Sequence, residues 1–199
     1  MSLSGKGGVP TAPRDQLTVL LNRFVVSPIT STSRHCRYNS HVRFTLRDFK
    51  IEDFQTLYLI DRACFPPGIA YSRLELTHYM KLRGAFTVVA ETKRKTPEIA
   101  GFLIAQRHPK GMGHIITIDT VKDFRRYGLG TLLMKVAEDR LRDAGCDAVF
   151  LEVAVDNASA IRFYKKLKYF ILKTLPRYYP NKLDAFLMAK RLTDFPPQT

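Results

Sequence analysis

Arg125-Arg126-Tyr127-Gly128-Leu129-Gly130-Thr131 is the first stretch of this chain whose residue types and spacing can do chemistry. It follows an apolar, β-branched run from His114 to Val121. After it, Leu129, Leu132, Leu133, Val136, Ala137 and Leu141 recur at helical spacing up to Gly145. A strand, a glycine-bearing turn and a helix start leave backbone N–H groups free at the positive end of a helix dipole, which suits a pyrophosphate. Gly128 and Gly130 are expected to let the backbone approach the anion where a Cβ would block it, or else simply to make the turn. The Gly-Lys-Ser/Thr of a nucleotide P-loop is missing. Leu133 stands where a dinucleotide fingerprint needs its third glycine. The remaining expectation is a phosphate-bearing cofactor of another kind.

Glu152 is the second candidate. It interrupts Val149-Phe150-Leu151-Glu152-Val153-Ala154-Val155, which is otherwise apolar. A carboxylate there is either desolvated, with a raised pKa suited to general-base work, or satisfied by a salt bridge. Asn157 and Tyr164 form the third candidate. Seven residues return a helix nearly to the same face, so both can address one ligand, although Asn157 also fits a helix N-cap and Tyr164 a core aromatic.

The loop matches Arg/Gln-x-x-Gly-x-Gly/Ala and resembles the acetyl-coenzyme A loop of the GNAT superfamily of N-acetyltransferases. Leu151-Glu152-Val153, the helix Asn157 to Tyr164, and Tyr178-Tyr179-Pro180 followed by Asp184-Ala185-Phe186-Leu187-Met188 resemble the RimI-like branch, the protein N-terminal acetyltransferases. The resemblance covers roughly residues 42 to 192. It implies an α/β fold: a mixed, largely antiparallel central sheet flanked by helices, with a splayed strand pair holding the cofactor. It implies acetyl transfer from acetyl-CoA, with coenzyme A as product, to a primary amine by direct attack in a ternary complex, without a metal.

Under that resemblance Glu152 is the proton acceptor and Tyr164 the donor to the departing sulfur. Arg125, Arg126, Tyr127, Gly128, Leu129, Gly130 and Thr131 hold the cofactor phosphates. Ile118, Asp119 and Thr120 offer backbone groups to the pantetheine arm, and Asn157 bonds it. Asp119 has two other readings, a salt-bridged sheet residue or a second base. Phe65, Pro66 and Tyr71 are expected on a loop over the first residues of a peptide, with Tyr178 and Tyr179 on its other side; ordinary packing is the alternative for all five. The acceptor implied is a protein or peptide N-terminus, ribosomal proteins included. A small-amine or lysine acetyltransferase, and a non-catalytic acetyl-CoA-binding regulatory module, stay open.

The chain departs from the family in two places. Lys168 stands where a glycine usually ends the helix, and loss of that left-handed cap costs on the order of 1 kcal/mol. The segment Pro66-Pro67-Gly68-Ile69-Ala70-Tyr71 is more apolar and roomier than is typical, which bears on peptide preference.

These residues need a set of elements to position them. Val42 to Arg47 alternates as a strand, and a helix opening at Asp48 or Ile51 to Asp53 carries Phe54, Leu57, Tyr58 and Ile60 inward. Phe65-Pro66-Pro67-Gly68 breaks it, and Ser72 caps a second helix to Leu82. Phe86 to Ala90 and Ile99 to Ile104 read as a hairpin. The strand to Val121, the helix from Leu129, the strand Ala148 to Val155 and the helix Ala158 to Leu167 follow. Tyr169 to Thr174 and Leu183 to Lys190 close the sheet.

At 199 residues and 45% hydrophobic, the chain is expected to hold one core, spanning residues 41–192, with a tail over 193–199. Residues 1–40 carry a single acidic residue, Asp15, and read as a transit peptide, a flexible extension or a start codon set too far upstream. Lys and Arg number 32 against 18 Asp and Glu, a net charge of +14. That excess draws a polyanionic cofactor or an acidic partner. No nucleic-acid motif accompanies it, so nucleic acid is not the expected main ligand. No run of about 18 apolar residues occurs, so no membrane span is expected. Cys36, Cys64 and Cys146 are scattered without metal-ligand spacing. The expectation is therefore a reducing cytoplasm, with Cys64 and Cys146 as core thiols and a monomer or weak dimer.

Overall fold

The computed structural model describes residues 43–109 and 111–193. The expected extension over residues 1–40 lies outside the described residues, as does Cys36, and so does the expected tail beyond Thr193.

A seven-stranded sheet forms the frame, in the order β1-β2-β3-β4-β5-β7-β6. Its strands are β1 (Phe44–Asp48), β2 (Ala85–Thr92), β3 (Ile99–His108), β4 (Met112–Thr120), β5 (Ala148–Ala154), β6 (Phe170–Leu175) and β7 (Ala185–Arg191). Every neighbouring pair is antiparallel except β4 with β5. The helices are α1 (Phe54–Cys64), α2 (Arg73–Met80), α3 (Leu129–Asp143) and α4 (Ala158–Lys166). The mixed, largely antiparallel α/β architecture expected from the sequence is the one observed.

Apolar spacing decides which face each helix covers. Leu129, Leu133, Met134, Ala137 and Leu141 of α3 pack on Val88, Leu103, Ile115, Val149 and Leu151, and Tyr164 of α4 joins the same cluster. On the opposite face, Leu57 and Ile60 of α1 and Leu76 of α2 cover Val89, Phe102 and Ile104. Burial of each such side chain is worth about 1.5–3 kcal/mol, so this patterning sets the layers. The start of α2 is fixed by a reciprocal cap: the Glu75 amide donates to Ser72 Oγ at 3.2 Å and the Ser72 amide to Glu75 Oε2 at 2.8 Å.

Two irregularities in β4 open the sheet. Ile104 pairs with Thr117 while its neighbour Ala105 pairs with Ile115, so Ile116 is an extra residue on β4. Such a bulge bends the strand and turns the residues beyond it to the other face. Accordingly Ile115 and Ile118 belong to the α3 side, whereas Ile116 belongs to the α1 side. In addition, β4 and β5 pair only at Met112–Ala148, Gly113–Val149 and His114–Phe150. Beyond that point the two strands no longer pair with each other, while β4 stays on β3 and β5 on β7.

The helix end at the family's missing glycine is kept by strain. Lys168 takes a left-handed φ of 72°, and the chain turns there into β6.

Candidate active site

The parting of β4 from β5 creates a cleft of about 1310 Å³. Small-molecule sites typically hold roughly 300–1,000 Å³, so this one has room for a long cofactor and a second molecule. Its walls are Ile116, Thr117, Ile118 and Thr120 of β4 and Leu151 to Ala154 of β5.

At one end the cleft reaches the start of α3. Arg125, Arg126, Gly128, Leu129, Gly130 and Thr131 line it there, while Tyr127 does not. The backbone winds tightly: Arg126 and Gly128 have φ of 68° and 81°. The first helical bond runs from the Leu132 amide to the Gly128 carbonyl, so the amides of Leu129, Gly130 and Thr131 are left for an anion. Gly128 is a glycine for its left-handed backbone. Gly130 lines the cleft, and a Cβ there would also lie 3.2 Å from Phe163 Cζ, so its smallness helps seat α4 against α3 as well. Arg125 anchors the turn by donating from Nε to the Thr120 carbonyl at 2.9 Å. Two cations that the sequence reading passed over, Arg162 and Lys166 of α4, line the same end. Their four-residue spacing on a helix entering this region was the available signal.

Tyr164, Asn157 and Glu152 also line the cleft. Asn157 caps α4, with Oδ1 accepting from the Ala160 amide at 3.1 Å, which leaves its amide nitrogen for a ligand. Tyr164 is 8% exposed, and its hydroxyl is pushed up from the ordinary tyrosine value by burial and then by the Tyr179 and Asp119 charges. It is therefore protonated at neutral pH and can donate.

Glu152 lies just past the last β4–β5 rung, with its side chain 7% exposed. Its Oε2 is 2.8 Å from His114 Nε2, a partner absent from the sequence reading. With the carboxylate ionised, the imidazole must be the donor. The imidazole is itself held flat on Phe150, at a centroid distance of 4.3 Å and 11° between planes. Of the two environments expected for Glu152, the paired one is present.

Phe65, Pro66 and Tyr71, from the segment before α2, and Tyr178 and Tyr179, from the segment between β6 and β7, line the same cleft. The Tyr71 hydroxyl points to the Ile116 carbonyl at 3.4 Å, and its ring meets Tyr79 at 5.0 Å. Burial first, and the Glu152 charge among the further causes, pushes up the hydroxyls of Tyr71, Tyr79, Tyr178 and Tyr179. Tyr71, Tyr178 and Tyr179, three of the five residues expected at a peptide mouth, thus lie near enough to Glu152 to feel its charge, and Phe65 and Pro66 line the same cleft.

Two expectations are corrected here. Cys64 is not a core thiol: it is half-buried, lines the cleft and sits 3.5 Å from Arg125 Nη2. Burial nevertheless pushes its thiol up, so it is a poor nucleophile. Cys146 is buried as expected. Asp119 is 1% exposed and does not line the cleft, although its neighbours Ile118 and Thr120 do.

A strand pair that parts over a glycine-turned helix start is shared with known proteins, and the profile of the acetyltransferase (GNAT) family matches residues 54–169. The chain belongs to that family. It is 30% identical over 158 residues to an N-alpha-acetyltransferase of Sulfurisphaera tokodaii, across 75% of this chain and 93% of that protein. Among solved structures, Ard1 from Thermoplasma volcanium superposes with a TM-score of 0.68 at 25% identity, over 76% of this chain and 99% of that one. The ribosomal-protein-S18-alanine N-acetyltransferase from Escherichia coli shares the fold with a TM-score of 0.66 at 23% identity, over 79% and 99%. This GNAT chain is therefore an acetyltransferase, and acetyl-CoA is its acetyl donor. The observed cleft fits that donor: unpaired strand edges for the amide-bearing arm, free helix amides and arginines for the phosphates.

Proposed function

We propose that this GNAT enzyme acetylates the N-terminal α-amino group of proteins, with Glu152 as proton acceptor and Tyr164 as donor to the sulfur. The observation that carries the reading is Glu152, its side chain 7% exposed, held by His114, and lining one cleft together with the α3 turn and the mouth tyrosines. Acetyl-CoA supplies an activated acetyl thioester. An amine is mostly ammonium at neutral pH, and only its free base attacks. Glu152 takes that proton, and the His114 N–H keeps the carboxylate aimed. The Tyr164 hydroxyl is less acidic than an ordinary thiol near about 8.5, so its role is to hydrogen-bond the developing thiolate charge, and the second proton, shed by the nitrogen as the C–S bond breaks, passes to the sulfur to release coenzyme A as its thiol. The N-alpha-acetyltransferases among the relatives support an N-terminal acceptor.

Phe65, Pro66 and Ile69 line the cleft with Tyr178 and Tyr179 and favour a first residue with an apolar side chain. Free Cys64 and Cys146 suit a reducing compartment such as the cytoplasm. Ribosomal proteins are among the acceptors, and the charge of +14 suits presentation at a polyanionic surface.

Coenzyme A release with peptides bearing free or blocked N-termini tests the reading, with polyamines, aminoglycosides and internal lysines as controls. Turnover confined to free N-termini is expected. Turnover with blocked peptides or small amines would overturn the acceptor.

A further inference from the structure

Beneath the cleft lie two carboxylates that acetyl transfer does not use. Asp61 of α1 is 0% exposed, and its Oδ2 accepts from the Tyr71 amide at 2.8 Å. Asp119 of β4 is 1% exposed, and its Oδ2 accepts from the Thr117 hydroxyl at 2.8 Å. In both, Oδ1 is buried with no hydrogen-bond partner among the described residues. A buried, unpaired carboxylate oxygen is costly, and two ionised neighbours there are costlier still. Protonation of one acid removes the second charge and creates a missing donor.

The groups around them leave that as the cheapest arrangement. Asp119 feels the charges of Asp61 on α1 and Arg125 on the cofactor turn, with Thr117 of its own strand and Cys64 of α1 beside it; Tyr164 of α4 feels the Asp119 charge in turn. Burial and then Asp61 push its carboxyl up to about 8, against the opposing pulls of Thr117, Cys64 and Arg125. Asp61 is pushed up to about 6 by burial, with Glu75 adding and the Tyr71 amide and Arg62 opposing. The pair therefore favours holding one proton between its two carboxyls at neutral pH.

We infer that Asp61 and Asp119 act as one proton-holding pair that pins the acceptor loop to the cofactor strand. Asp61 grips Tyr71, the end of the loop that begins at Phe65. Asp119 is flanked by Ile118 and Thr120, which wall the cofactor part of the cleft. With one proton the pair holds a single charge and the loop stays down. Its loss puts two like charges in a buried site, and release of Tyr71 relieves them. Both acids are positioning residues, and the inference rests on reading Phe65 to Tyr71 as the acceptor loop.

The test uses the full chain with a free N-terminal peptide, between about pH 6 and pH 9, a range that brackets the Asp119 ionisation. KM for the peptide is expected to rise at least about fivefold as pH passes 8, the low end of a site-to-site coupling, while KM for acetyl-CoA stays level. Deprotonation of the acceptor amine acts in the opposite sense, so it cannot produce the rise. Asp119→Asn, neutral at every pH, should hold KM low throughout, and so should Asp61→Asn, which keeps an oxygen for the Tyr71 amide. Asp61→Ala should raise it at every pH. The infrared band of a protonated carboxyl at pH 7 should vanish in Asp119→Asn, a readout independent of turnover. No such band, or an unchanged KM rise in Asp119→Asn, overturns the pair. Phe65→Ala separates the failures. If it leaves peptide KM untouched, the loop reading falls and the inference with it. If it raises KM while Asp119→Asn behaves as wild type, the loop reading stands and the pair alone is overturned.

Discussion

His114 Nε2 and Glu152 Oε2 meet at 2.8 Å just beyond the last rung between β4 and β5. One is carried by each strand of the parting pair, so the bond exists only where the sheet begins to open. It places an oriented carboxylate in the wall of the cleft. Glu152→Gln keeps the shape and the His114 contact but removes the base. kcat is expected to fall by roughly 10²–10⁴, the range for general-base catalysis, with acetyl-CoA affinity retained in equilibrium binding. His114→Phe keeps the stack on Phe150 and loses one hydrogen bond to a charged group, worth about 1.5–3 kcal/mol. It should therefore cost roughly ten- to 150-fold, less than loss of the base. Equal losses in the two variants would make His114 the base.

Tyr164→Phe removes the proposed donor to the developing thiolate while leaving the buried ring in place. A loss of about 10²–10³ in kcat is the upper range for such a donor. The deficit should shrink with an acetyl thioester of a more acidic thiol, which needs less help to leave. A deficit independent of the leaving group would remove Tyr164 from the sulfur.

Asp119 also makes stability depend on pH. Its carboxyl is pushed up to about 8 in the folded chain by burial, against about 4 when unfolded. Between those values the native state binds the extra proton, so stability is greatest below about pH 4 on this account and declines as pH rises through 8. Asp119→Asn should flatten that decline and raise the melting temperature most at pH 8. Denaturant melts at several pH values check the sign; a variant less stable than wild type at pH 8 would refute it.

Lys168 holds a left-handed φ of 72° at an exposed helix end. Lys168→Gly should remove a cost of about 1 kcal/mol and raise the melting temperature by roughly 2–4 °C. Turnover should be unchanged, since Lys168 does not line the cleft.

Much of this was legible from local pattern. The turn at Gly128, four of the five buried apolar positions of α3, the Ser72 cap and the Glu152 strand depend on residues near one another in sequence, whose spacing and backbone preferences declare themselves; Met134 was missed, and Leu132, counted in the same stripe, is 38% exposed. The glycine turn before α3 was readable for the same reason, although Tyr127 does not line the cleft and Gly130 has Phe163 close to where a Cβ would stand.

What the tertiary structure decided were the long-range partnerships. Strict alternation in β4 would put Ile115 and Ile118 on opposite faces; the bulge at Ile116 brings them to one, and leaves Asp119 beside α1 rather than in the cleft. His114 finds Glu152 across 38 residues, and Arg125 finds Cys64 across 61. Composition and periodicity carry which face is apolar and where a helix begins, because those follow from the chain's own short-range geometry. Register, bulge and strand divergence follow from how the layers pack, and a one-residue slip exchanges the two faces of a strand. That is why the family and its cleft could be read from the residues in order, while the partners of Glu152 and Asp119 required the folded sheet.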